Sequence, residues 1–114
     1  MLVFEPCYTN YLSFAAQADV KRVPITLRVE DGDPFGSIDR LRACTTPKTR
    51  AILLCNPANP TGTVYTADEL EAVAQVALEN DLFVIWDEVY REFVFDSGLI
   101  RSFTQFKDLA QRII

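Results

Sequence analysis

Three polar side chains stand where the chain can do chemistry. Asp87 closes the apolar run Leu82-Phe83-Val84-Ile85-Trp86. A carboxylate at the end of a buried strand is partly desolvated and needs a cationic or hydrogen-bonding partner. A protonated ring nitrogen, a magnesium ion or an arginine serves that need, and so do the amides of a turn that the carboxylate caps. Asn59 lies between Pro57 and Pro60. An amide on a stiffened loop is pre-organised to bond a ligand oxygen, or closes an Asx turn on its own backbone. Tyr90 follows Asp87 by three positions, and its hydroxyl can donate to a ligand oxygen while its ring packs.

The elements that must hold these groups are readable from periodicity. Arg50 to Cys55, apolar without a break after the arginine, reads as a strand buried on both faces. The loop Asn56-Pro57-Ala58-Asn59-Pro60-Thr61-Gly62 follows it. Thr66 and Glu69 form a capping-box pattern. Leu70, Val73, Ala74, Ala77 and Leu78 then recur at helical spacing, with Asn80 as a left-handed stop. The strand Leu82 to Trp86 completes a strand–helix–strand unit, which makes its two strands parallel. Ligands of such sheets sit beyond the carboxyl ends of the strands, so the 56–62 loop and the Asp87-Tyr90 segment share one rim. Around this centre, Met1 to Phe4 reads as a buried strand. Thr9 or Asn10 caps a short helix with Tyr11, Leu12, Ala15 and Ala16 on one side, and Lys21 to Leu27 is a strand that Pro24 assigns to an edge. Asp31 to Pro34 and Asp96 to Gly98 are turn chemistry, and Ser37 caps a helix with Ile38 and Leu41. Ser102 to Ala110 reads as a short helix, and Gln111 to Ile114 as the opening of another buried strand.

Composition removes whole classes of function. The 114 residues carry a formal net charge of −5 with 49 % apolar residues, which describes one globular domain at most and no nucleic-acid surface. With no histidine, a His triad, a His general base and His-containing metal sites are excluded within the chain. Cys7, Cys44 and Cys55 form no CxxC pair, and reduced, mostly buried thiols in a cytoplasmic protein are expected. No run reaches the about 18 apolar residues of a membrane span, and the start lacks a signal peptide's basic region. Leu82 to Glu88 also fits a Walker B strand, but none of the four glycines builds the phosphate loop that must accompany one.

Together, the Asn56-to-Gly62 string and a strand ending in Asp87-Glu88-Val89-Tyr90, with Trp86 24 residues beyond Gly62, are specific. They resemble the NPxNPTG and DEVY motifs of the class I/II aminotransferases, fold-type I pyridoxal-phosphate enzymes. Pro6-x-Tyr8-x-x-Tyr11 and Tyr90-Arg91-Glu92-Phe93 are similar to the family's flanks, so the resemblance covers residues 1–114. It implies an α/β fold, a three-layer α/β/α arrangement on a mostly parallel sheet. Residues 1–114 would be the central part of the cofactor-binding large domain, truncated at both ends. It implies pyridoxal 5'-phosphate as cofactor, with Asp87 on the protonated pyridine nitrogen, Asn59 and Tyr90 on the ring's phenolic oxygen, and Tyr8 as the ring stacked on the cofactor. Asn59 would also reach the substrate carboxylate, and cis bonds are expected at Glu5-Pro6 and Asn59-Pro60.

The implied reaction moves an amino group between an amino acid and a 2-oxo acid. The implied setting is a cytoplasmic homodimer without nucleic-acid or membrane partners. The family's Schiff-base lysine sits on an SxxK segment, and Lys21, Lys48 and Lys107 are not in that context. That lysine is expected beyond Ile114, the phosphate-anchoring turn before Met1, and the isolated 114 residues are expected to be inactive and to bind cofactor weakly or not at all. A lyase or synthase on the same fold, or the effector domain of a fused regulator, are the alternatives; the DEVY form with Thr61 favours a transaminase.

Overall fold

The computed structural model describes residues 1–27, 38–95 and 102–114. Four strands, β1 (Leu2–Glu5), β2 (Val23–Thr26), β3 (Ala51–Cys55) and β4 (Phe83–Asp87), form a parallel sheet in the order β2-β1-β3-β4. Pro24 does lie on an edge strand, where its missing N–H disturbs no ladder. At the other side, Ile113 bridges Val84 in parallel, with Val84 N–H on the Arg112 carbonyl and Trp86 N–H on the Ile114 carbonyl. The segment 111–114 thus runs beside β4, but as a single bridge rather than a buried strand, with Ile114 exposed.

Alternation along the strands makes two cores. Leu2, Phe4, Ile52, Leu54 and Val84 face one side, where α2 (Ile38–Cys44) and α3 (Ala67–Glu79) pack. Val3, Leu53, Cys55 and Ile85 face the other, with Tyr11 of α1 (Asn10–Gln17). Helix, sheet and helix thus form three layers, as expected.

The capping box of α3 is complete. Glu69 N–H donates to the Thr66 hydroxyl at 3.3 Å, and Thr66 N–H to the Glu69 carboxylate at 2.6 Å. The buried stripe of α3 is turned from the expected one. Val76 is fully buried, while Leu78 is 46 % exposed. The cause is α2, which lies along that flank and is tied to it by a two-point Arg42–Glu79 ion pair. The stop also differs. Asn80 keeps a negative φ of −116°, and Asp81 takes the left-handed conformation at φ 57°. Leu82 N–H then reaches back to the Ala77 carbonyl, closing a Schellman turn that drives buried Leu82 under the helix. The end of α1 repeats the device, with Asp19 at φ 53° and Val20 N–H on the Ala15 carbonyl.

Other local expectations are corrected. Thr9 makes no side-chain cap bond, and Asn10 instead donates its amide to the Tyr8 hydroxyl. Leu12 is half-buried and Ala16 exposed, so α1 buries only Tyr11 and Ala15. Residues 102–110 form two 3-10 turns, Phe103–Gln105 and Lys107–Leu109, rather than one helix. Phe106 interrupts them at ψ 87°, which lets Phe103 and Leu109 both enter the core. Of the thiols, which are free, only Cys55 is buried, with Cys7 and Cys44 half-exposed. The expected turns at 31–34 and 96–98 and the Ser37 cap lie outside the described residues. Among the described residues no helix is long and apolar enough to cross a membrane.

Because the Thr66 hydroxyl answers the otherwise unpaired Glu69 N–H in the first turn of α3, Thr66→Ala is expected to cost about 1 kcal/mol of stability, read as a lower midpoint in chemical denaturation.

Candidate active site

The sheet's carboxyl rim gathers the two motif segments by hydrogen bonding, not merely by topology. β3 and β4 pair in register over five residues, ending with Cys55 opposite Asp87. The next amide, Asn56 N–H, donates to the Asp87 carbonyl at 2.9 Å. The loop that leaves β3 is closed on itself by Ala58 N–H to the Thr63 carbonyl and Gly62 N–H to the Ala58 carbonyl, at 2.8 and 2.7 Å. Gly62 has φ +71°, where any side chain would strain the backbone. The bonds before Pro6 and Pro60 are cis, as expected, and so is Asn56-Pro57.

Within this frame Asn59 and Tyr90 meet. The Asn59 amide donates to the Tyr90 hydroxyl oxygen at 3.0 Å. That leaves the phenol's own hydrogen and the second amide hydrogen as two donors for one incoming oxygen. The pair borders a cavity of ≈ 510 Å³ with Pro60 and Phe93.

Asp87 is held from two sides. Its Oδ1 accepts the Val89 N–H at 3.0 Å, which is the turn-capping bond open from the sequence. Its Oδ2 accepts the Tyr11 hydroxyl at 2.5 Å. Asp87 borders a different cavity, of ≈ 550 Å³, on the α1 side of the sheet with Tyr11 and Ile85. A small void of ≈ 10 Å³ is bordered by Tyr11, Cys55 and Asn59. Tyr8 is 39 % exposed and stands edge-on to Tyr11, with ring centroids 5.5 Å apart.

Tyr11 and Asn56 are the residues to which the sequence assigned no role. Asn56 is fully buried; its Oδ1 accepts the Tyr65 N–H at 3.0 Å, while its Nδ2 meets no partner among the described residues. The Asn56 amide thus fastens the far end of the loop. The signal for Tyr11 was its three-residue spacing from Tyr8, which puts both rings on one side of the α1 entry. Burial, with the Asp87 carboxylate beside it, pushes the Tyr11 phenol well above its ordinary ionisation range. Burial also pushes the Cys55 thiol up, and that thiol donates to the Pro57 carbonyl at 3.1 Å, so it is no thiolate nucleophile.

No metal-holding cluster of Cys, Asp and Glu occurs among the described residues. The donor set suits an organic ring instead: one anionic acceptor for a cationic N–H, and two neutral donors for an oxyanion.

The family model described as "Aminotransferase class I and II" matches residues 1–112. The chain belongs to the class I and II aminotransferase family. It is 42 % identical over its whole length to a probable N-succinyldiaminopimelate aminotransferase of Mycobacterium tuberculosis, covering 29 % of that protein. It is 37 % identical over its whole length to an aspartate aminotransferase of Musicola paradisiaca, covering 28 % of it. The solved N-succinyldiaminopimelate aminotransferase of Mycobacterium tuberculosis superposes with a TM-score of 0.88 at 40 % identity, over 99 % of this chain and 29 % of that one. The chain therefore spans less than a third of the length of these relatives.

Tyr11 carries a testable sign. A phenol whose folded ionisation lies above its unfolded one, about pH 10, adds stability that is complete below that pH and is lost as pH rises toward the folded value. The free energy of unfolding is expected to fall with pH above about 10, and to fall less steeply in Tyr11→Phe, as read from denaturation curves at successive pH values.

Proposed function

We propose that this chain is the central part of the cofactor-binding large domain of an aminotransferase that takes pyridoxal 5'-phosphate. The observation that carries the proposal is the in-register end of β3 and β4, which sets the Asp87 carboxylate and the Asn59–Tyr90 donor pair on one rim. Asp87 would hold the protonated ring nitrogen as a charge-assisted partner. Asn59 and Tyr90 would donate to the ring's phenolic oxygen, favouring its anion. Tyr8 would lie against the ring face, and Asn59 would also meet the substrate carboxylate. The bound group supplies an electron sink for the bond-breaking at the amino acid's α-carbon. The substrates are an amino acid and a 2-oxo acid, and the setting is a cytoplasmic homodimer.

The lysine needed for covalent attachment is not on this rim. Lys21 precedes β2, Lys48 precedes β3, and Lys107 precedes the 111–114 segment, so all three lie toward the amino ends of a parallel sheet. The amine is therefore supplied by sequence outside these 114 residues, and the segment alone would not transaminate.

In the complete gene product, borohydride reduction after loading with pyridoxal phosphate is expected to label a lysine other than Lys21, Lys48 and Lys107. Stoichiometric label on any of the three contradicts the reading. Asp87→Asn removes the charge that would face the ring nitrogen. It is expected to lower kcat/KM for amino transfer by about a hundredfold or more, whereas unchanged turnover would sink the assignment of Asp87.

A further inference from the structure

The carboxylate at Asp87 is useful only if it stays ionised and points one way. Each of its oxygens already accepts one hydrogen bond, from Val89 N–H on Oδ1 and from the Tyr11 hydroxyl on Oδ2. The first donor belongs to the carboxylate's own turn. The second comes from the opening turn of α1, 76 residues away in sequence, and its residue is only 7 % exposed. Two donors on opposite oxygens fix rotation about the last side-chain bond, and each oxygen keeps a lone pair for a further partner.

The geometry points to Tyr11 as the positioning residue of the cofactor site. Its phenol locks the Asp87 carboxylate in the orientation that receives the cationic ring nitrogen, and the same turn of α1 braces Tyr8. This rests on the reading that the rim takes pyridoxal phosphate.

Several features of the surroundings fit that role rather than simple packing. Tyr11 sits among Val3, Leu53 and Cys55, an apolar setting that strengthens a hydrogen bond to a carboxylate. The Cys55 thiol donates to the Pro57 carbonyl and leaves Asp87 to Tyr11. The phenol resists ionisation, so it remains a donor throughout the neutral range. Tyr8 meets Tyr11 edge-on at 5.5 Å, and its hydroxyl accepts the Asn10 amide at 2.7 Å. One short segment, Tyr8 to Tyr11, thus holds both the ring expected to lie on the cofactor and the donor behind its counter-ion.

Tyr11→Phe keeps the ring and removes only the oxygen. In the complete gene product we expect the dissociation constant for pyridoxal phosphate to rise about tenfold, the loss of one charge-assisted hydrogen bond. We also expect the ¹⁵N resonance of ring-labelled cofactor to move toward its unprotonated position, with an unchanged far-UV circular dichroism spectrum. A residue that only packs would shift neither. If Tyr11→Phe binds and protonates the ring as the parent does while Asp87→Ala loses both properties, the positioning role is overturned and the cofactor reading stands. If Asp87→Ala also changes neither, the cofactor reading falls and takes this inference with it. Should Tyr11→Phe not fold, the bond is read in the unsubstituted, cofactor-free protein: a slowly exchanging Tyr11 hydroxyl proton coupled to the Asp87 carboxyl carbon is expected, and its absence overturns the proposal.

Discussion

The register between β3 and β4 is the constraint on which the rim depends. Side chains alternate across a strand, so a slip of one residue would exchange its two faces. With Cys55 opposite Asp87, Ile85 and Asp87 face the α1 side, where Tyr11 waits, and Trp86 faces the side where Phe103 packs with a centroid distance of 4.7 Å. Slipped by one, the carboxylate would enter the apolar layer beneath α3 with no donor to meet it, and Trp86 would lose its pocket. The apolar alternation thus fixes where the charge goes. The hydrophobic effect, although it has no direction of its own, sets the site's geometry through the pleat.

The helices serve that register from both faces. α1 and α3 each end in an aspartate with positive φ and a backward bond from the residue after it, so both return the chain sharply toward the sheet. Asn56 fixes the loop to Tyr65 just before the capping box of α3, so the loop bearing Asn59 is fastened at both ends: by the Asp87 carbonyl at its start and the helix entry at its finish. An amide carried on such a span reaches Tyr90 with little freedom left to lose on binding a ligand.

Much of this was legible in the sequence because the central strands are uninterrupted apolar runs and the capping box is a local code. The edge position of β2 followed from one proline. The stripe on α3 departs from helical periodicity at Val76 and Leu78 because which flank of a helix is covered depends on a neighbour, here α2, that periodicity does not reveal. The left-handed stop falls one residue beyond Asn80 because Asn80 and Asp81 both tolerate that region and only the backward bond from Leu82 chooses between them. Asp87, Asn59 and Tyr90 could be singled out as chemistry standing at strand ends. The Tyr11–Asp87 bond could not, since it joins residues 76 apart and is created by the packing of α1 on the sheet.

On the proposed reading, one rim would hold opposite sides of one cofactor ring. A crystal structure of the complete gene product grown with pyridoxal phosphate tests it most directly. The ring nitrogen is expected within about 3 Å of an Asp87 carboxylate oxygen and the phenolic oxygen within the same distance of the Asn59 amide and the Tyr90 hydroxyl. A cofactor bound with its ring nitrogen away from Asp87, or seated off the carboxyl rim of the sheet, would contradict it.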